Sequence, residues 1–479
     1  MKNMPTFKRI TMPFSLVLFL LSMQVHAQQG LLEIYQLAER NDPALREAEA
    51  LYFADLEIKP QARSSLLPSL DFSSSATERS TESPSSAFNF ITGEPIPTIL
   101  RTESDASGND WSVNLTQTIF NWGQILTLKQ ADKQITRAEI VYETARQDLL
   151  IRVAEAYFNV LAAEDLLAAE VAAREALARQ LEQAQRRFEV GLIAITEVQQ
   201  AQAAFDVQVA TEIAAQQTLA SQQEFLREII GEYVVDLKGP IEDLPLERPN
   251  PQTPDEWVDA AMEQNLSLLA SRIAVDIAQD DIRIQRSVRF PTLNLSAGYS
   301  DSDSTNMQTT FYTVLTQCNP FDPTSSALSC STTSDRLSQG NNLSLNLRVP
   351  LFTGGLNRSR IQQSVYRHRA TQESLERIAR QTERLTRDAY LGVISTISQV
   401  TAFRQAVESN RTALRATEAG FEVGTQTTVD VLAAQNNLRR AETNYARSRY
   451  DYLLNVLRLR QAAGSLAVAD MEQIDGWLE

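Results

Sequence analysis

A sixteen-residue phrase occurs twice in this chain. "RFEVGLIAITEVQQAQ" begins at Arg187 and "GFEVGTQTTVDVLAAQ" at Gly420, 233 residues later. The repeat extends well beyond the phrase. The segment from Asn41 (NDPALREAEALYFADLEI) aligns with that from Gln264 (QNLSLLASRIAVDIAQDD), and Pro68 of SLLPSLDFSSS aligns with Pro291 of VRFPTLNLSAG. Phe120 of QTIFNWGQ aligns with Phe352 of VPLFTGGL, and AEAYFNV from Ala154 with RDAYLGV from Arg387. A period this long exceeds any solenoid unit and indicates duplication of a whole structural half. Each half therefore reads as helix, strand, polar loop, strand, long helix, turn, helix.

Within each half, two stretches alternate with period two. Leu70 and Phe72 alternate with Ser69, Asp71 and Ser73; Trp111, Val113, Leu115 and Ile119 alternate with Ser, Asn and Thr. Leu293, Leu295, Ala297 and Tyr299, then Leu343, Leu345, Leu347 and Val349, do the same in the second half. Such stretches suit membrane strands of about 9–11 residues, and Trp111 and Trp122 suit interfacial positions. A water-soluble sandwich alternates in the same way. Four strands cannot close a membrane barrel, which begins at about eight, so a barrel would have to be shared between chains. The polar segments 78–110 and 301–341 read as long loops on the outer side.

The helices are long. No Gly or Pro interrupts the chain from Gln124 to Arg187, and Leu128, Ile135, Tyr142 and Leu149 recur every seven residues. Val431, Leu438, Tyr445 and Tyr452 repeat that spacing in the second half, as expected of supercoiled helices packed side by side.

The ends and composition narrow the class. Lys2, Lys8 and Arg9 precede a short apolar run and Val25-His26-Ala27, which reads as a signal peptide over residues 1–27. Without it, 41 basic residues face 60 acidic ones. So acidic a chain is a poor nucleic-acid binder. Cys318 and Cys330, the two cysteines, lie in one polar segment and are expected to form a disulfide in an exported protein. His368, the one histidine beyond the signal peptide, sits in a helical pattern without partners. No phosphate-binding glycine loop or Cys-x-x-Cys is present. No enzyme activity, metal or cofactor is expected. The division reads as a first repeat over 28–230, a proline-rich linker over 231–256, a second repeat over 257–464 and a tail over 465–479.

The motifs LLPSL at Leu66, IFNWG at Ile119, VAEAYFNVL at Val153, FEVGLIAITEVQQAQ at Phe188, PLFTGG at Pro350 and FEVGTQTTVDVLAAQ at Phe421 together resemble the TolC family of outer-membrane efflux and secretion ducts. The resemblance implies an α+β membrane protein. Three chains would share a twelve-stranded β-barrel, four strands each, continued by a coiled-coil α-helical barrel in the periplasm of a Gram-negative bacterium. It also implies a homotrimer in outer-membrane lipid, a periplasmic adaptor, and an inner-membrane pump of RND, ABC or MFS type, in efflux or type I secretion. The two phrases would be hairpin turns at the periplasmic tip. Val190, Gly191 and Leu192, with Val423, Gly424 and Thr425, would touch the adaptor. Thr196, Glu197, Phe421, Gln426 and Asp430 would line the constriction, with Asp430 as a ring of carboxylates. Gln426 stands where the family often has Arg, Phe421 lacks a Tyr hydroxyl, and Glu197 stands where the family has Asp. A gate closed by these residues would differ from the family's. A pore-free periplasmic adaptor or scaffold remains the alternative reading.

Overall fold

The computed structural model describes residues 28–84, 87–88, 95–96, 99–234, 236–241, 243–317 and 326–479. The expected signal peptide lies outside them. The first half runs α1 (Leu31–Asn41), α2 (Pro43–Leu56), α3 (Ile58–Ser64), β1 (Ser69–Ser83), β2 (Ala87–Phe88), β3 (Pro95–Ile96), β4 (Ile99–Asn121), α4 (Trp122–Glu189) and α5 (Ile195–Ile230). The second runs α6 (Pro254–Gln264), α7 (Leu266–Ser287), β5 (Thr292–Gln317), β6 (Ser326–Arg348), α8 (Leu356–Glu422) and α9 (Thr428–Ala463), followed by α10 (Val468–Asp475).

The strands are longer than the alternation suggests. β1, β4, β5 and β6 have 15, 23, 26 and 23 residues, well above the expected 9–11. Most of the polar segments expected as loops are strand. Their Ser, Thr and Asn side chains give no apolar face to read, but the antiparallel ladders continue through them without a break from Ser73–Ser112 to Ser83–Thr102 and from Ser300–Gly340 to Phe311–Ser329. Cys330 lies in this extension and is disulfide-bonded; Cys318, its expected partner, lies outside the described residues.

The sheet order is β1-β4-β5-β6. Register places Leu70, Leu115, Ala297 and Leu343 in one row and Phe72, Val113 and Tyr299 in the next. Leu70, Phe72, Leu343, Leu345 and Leu347 are each more than 60% exposed, so this face meets no protein within the chain. Trp111 closes the apolar band, 6.5 Å from Phe72 and 5.2 Å from Tyr299 between ring centroids. The other face carries hydroxyl pairs: Ser69–Thr116 at 2.6 Å, Ser73–Ser112 at 2.8 Å and Ser296–Ser344 at 2.7 Å. β1 and β6 are the edges. Through the shared register Ser69 is level with Ser344 and Ser83 with Cys330.

Below the sheet, α4 and α8 have 68 and 67 residues, each about 100 Å long. Each doubles back as a shorter helix, and shorter helices complete the upper stack. Asn41 Nδ2 donates to the Ile230 carbonyl at 2.9 Å, closing α5, while Asp42 caps α2 at Leu45 N, 2.8 Å. In the second half Asn265 does both. Its Nδ2 donates to Ala462 O at 3.0 Å, and its Oδ1 accepts from Leu268 N at 3.1 Å. The main core lies midway along the rods. Leu149–Leu161 of α4 and Tyr450–Leu459 of α9 meet Leu31, Ile34 and Tyr35 of α1 and Met471 and Ile474 of α10. Tyr157 is fully buried, and its hydroxyl donates to Gln29 O at 3.1 Å and Lys238 O at 2.7 Å. Burial holds that hydroxyl far above the ordinary phenol range. The amino-terminal segment, linker and carboxy-terminal segment thus meet in one belt.

Candidate functional site

The far end of the rods carries both copies of the repeated phrase. Gly191 has φ +78° and Gly424 φ +81°, a backbone that side chains with a Cβ rarely adopt. In the first turn Gly191 N–H donates to Phe188 O and Leu192 N–H to Arg187 O, both at 2.9 Å. In the second, Gly424 N–H donates to Phe421 O at 3.1 Å and Thr425 N–H to Gly420 O at 2.8 Å. These paired bonds form a Schellman stop, which satisfies carbonyls left open at a helix end. Val190, Leu192 and Val423 project beyond the turns, each at least 70% exposed.

The helices that leave the turns start differently. Thr427 caps α9 in a full capping box. Asp430 Oδ2 accepts from Thr427 N at 2.8 Å and from Thr427 Oγ1 at 2.7 Å, and Asp430 N–H donates to Thr427 Oγ1 at 3.3 Å. These bonds, the backbone one foremost, hold the Asp430 carboxyl below its ordinary range. Ala194 occupies the matching position before α5 and makes no side-chain cap. Glu197, the counterpart of Asp430, therefore has no box to close. Its Oε2 accepts from Thr428 Oγ1 of the other hairpin at 3.5 Å.

A second link joins the turns. The Arg187 guanidinium lies 5.2 Å from the Phe421 ring centroid. Arg187, Phe421 and Glu197 are half-buried and Thr428 is buried, in a tip where most residues are exposed. The sequence-expected residues thus divide. Phe421 and Glu197 face the neighbouring hairpin. Asp430 is tied to its own helix, and Thr196 is exposed. Within one protomer Gln426 stays in its own turn, where its Cγ would lie 2.7 Å from a Cβ on Gly420. Sequence reading overlooked Arg187, Thr427 and Thr428. For Arg187 a signal was available, because the repeat places Gly420 opposite it.

Among the described residues no helix is long and apolar enough to cross a membrane, and no cluster of His, Cys, Asp or Glu could hold a metal. The chain is 35% identical to outer membrane protein TolC of Vibrio cholerae over 94% of each chain. It is 32% identical to outer membrane protein TolC of Escherichia coli, over 92% of this chain and 84% of that one. The fold matches the CmeC outer membrane channel of Campylobacter jejuni with a TM-score of 0.68 at 17% identity, covering 99% of this chain and 97% of that one. The profile of the family described as "Outer membrane efflux protein" matches residues 34–232 and 257–465, one stretch in each repeat, and the chain belongs to that family.

Proposed function

We propose that three copies of this chain form a passive duct across the outer membrane, taking substrates from a periplasmic adaptor and inner-membrane pump to the exterior in efflux or type I secretion. The observation that carries the reading is the four-stranded sheet, with one exposed apolar face, one hydroxyl-lined face and two level open edges. Open edges cannot stay unpaired in hydrocarbon, and β6 of one copy is long enough to cover the whole of β1 in the next. Two copies would make eight strands, whose interior side chains fill; three make twelve and leave a lumen. A water-soluble scaffold has no use for so much exposed apolar sheet.

The rods continue the lumen into the periplasm. Val190, Leu192 and Val423 offer an adaptor an apolar surface at six turns per trimer. Asp430, repeated three times around the axis, gives a carboxylate ring that favours cations. The gate closes through Arg187–Phe421 and Glu197–Thr428 within each protomer, in place of a charged pairing that the neutral Gln426 cannot make. Single-channel recording of purified protein in a planar bilayer tests this. A uniform pore supports the duct; its absence from folded trimer overturns it.

A further inference from the structure

Polar links between the two hairpins of a protomer descend along α4 and α9. Gln461–Asp148 at 2.8 Å, Arg458–Glu155 at 2.6 Å, Arg447–Asn159 at 2.9 Å and Tyr450–Asp165 at 2.7 Å lie beside or just below the central core. The lowest before the tip is different in kind. Glu170 of α4, 8% exposed, and Gln208 of α5, 5% exposed, close around Arg439 of α9. Glu170 Oε2 accepts from Arg439 Nη1 and from Gln208 Nε2. Arg439 also donates to Gln208 Oε1 at 2.9 Å and to Asn436 Oδ1 at 3.0 Å. The network joins three helices of both hairpins, and each charged group in it has several partners. From there to the turns, among the described residues, no polar link crosses between the hairpins until Glu197–Thr428 and Arg187–Phe421. Beside it, between the hairpins, lies a half-open cavity of about 600 Å³ walled by Ala169, Ala173, Ala176, Leu414 and Leu438 and bounded at the network by Gln208 and Arg439.

We infer that the Glu170–Gln208–Arg439 network is the fulcrum of the tip: it fixes the height above which the hairpins of a protomer are locked and below which they part. Arg439 is a positioning residue, about 20 Å above the turns along α9. The cavity supplies the space into which the hairpins move, because alanines on one wall leave room that larger side chains would fill. Without the network the lowest locks become Arg447–Asn159 and Tyr450–Asp165, at about the same height. The same angular play then swings the tips about one and a half times as far, because the lever lengthens by eight residues of helix. The inference rests on the duct reading for its functional meaning, but its geometry can be measured separately.

The test uses the full-length trimer with nitroxides at Val190→Cys and Val423→Cys, and reads the width of the inter-label distance distribution. Replacing Arg439 alone leaves Glu170 buried and unpaired, so the main variant is Glu170→Met with Arg439→Leu, since apolar replacement of a whole buried pair is often neutral for stability. The expected width is about one and a half times that of the unaltered network. The width returns to its original value in the charge-reversed pair Glu170→Arg with Arg439→Glu. Arg447→Leu, one link higher, leaves it unchanged. An unchanged width in the apolar double variant, at unchanged helical content, overturns the fulcrum. So does equal widening in Arg447→Leu. Planar-bilayer recording of the same samples separates the two readings: broadening in protein that never conducts keeps the fulcrum and discards the duct.

Discussion

The turns at Gly191 and Gly424 share a backbone and differ in what surrounds it. Both use a left-handed glycine and the same pair of helix-stopping hydrogen bonds. The second turn then spends its carboxylate on itself, because Thr427 and Asp430 close a capping box. The first has Ala194 at the cap, so Glu197 reaches the other hairpin instead. Arg187 likewise reaches Phe421, while its counterpart Gly420 makes room for Gln426. Duplication thus supplies two equal stops, and a few unequal residues make one hairpin the donor of contacts and the other their receiver. The upper junctions show the same divergence: Gly231 sits 3.6 Å from Asn41 Cβ by its would-be Cβ, whereas Gly464 would meet the Gln264 backbone oxygen at 2.4 Å.

The junctions give the largest expected effect. Gly464→Ala should cost about 3 kcal/mol, from left-handed strain plus collision with backbone, and Gly231→Ala about 1 kcal/mol from strain alone. Equal losses in thermal melting would break the contrast. At the turns nothing lies within 4 Å of either missing Cβ. Gly191→Ala and Gly424→Ala should therefore each cost about 1 kcal/mol, and unequal losses would show that the two stops are not alike. Thr427→Ala should cost about 1 kcal/mol by loss of the cap, read as faster amide exchange in the first turn of α9. Ala194→Ser should slow exchange at the start of α5 by a smaller factor, since it supplies the missing cap.

Smaller still is the link between turns. Arg187→Leu should lose about 0.5 kcal/mol, the scale of a cation–π contact that water still reaches, and more frequent opening in single-channel records would register it. Arg187→Leu in a Phe421→Leu background should add nothing further. The smallest effect concerns pH. Asp430 is held below its ordinary range, so its cap and its charge are fully present above the unfolded aspartate value of about 3.9 and are lost as pH falls through the lower folded value. Cation preference should therefore be flat from neutral pH down to that value. A decline beginning near pH 6 would place the selective charge elsewhere.

Much of this was legible in the sequence because it depends on local pattern. Gly191 and Gly424 mark turns since few other residues accept that backbone, and Leu343, Leu345 and Leu347 mark an apolar strand face since side chains alternate in a strand. The polar extensions of the strands were not legible. Ser, Thr and Asn carry no periodic signal, and only a neighbouring strand in register distinguishes ladder from loop. Glu170, Gln208 and Arg439 were equally silent. They lie 38 and 231 residues apart along the chain, on helices where most polar residues are exposed or half-buried.

The sequence by itself determined the duplication, the amphipathic strands, the long uninterrupted helices and the two glycine stops, because each follows from residues within a few positions of one another. Only the tertiary structure decided which carboxylate caps its own helix and which crosses to the other hairpin, how far the sheet extends beyond its apolar band, and where the hairpins are pinned. Those outcomes depend on which distant side chains share a height along the rods, and that height is set by packing at the central belt rather than by any local preference of the chain.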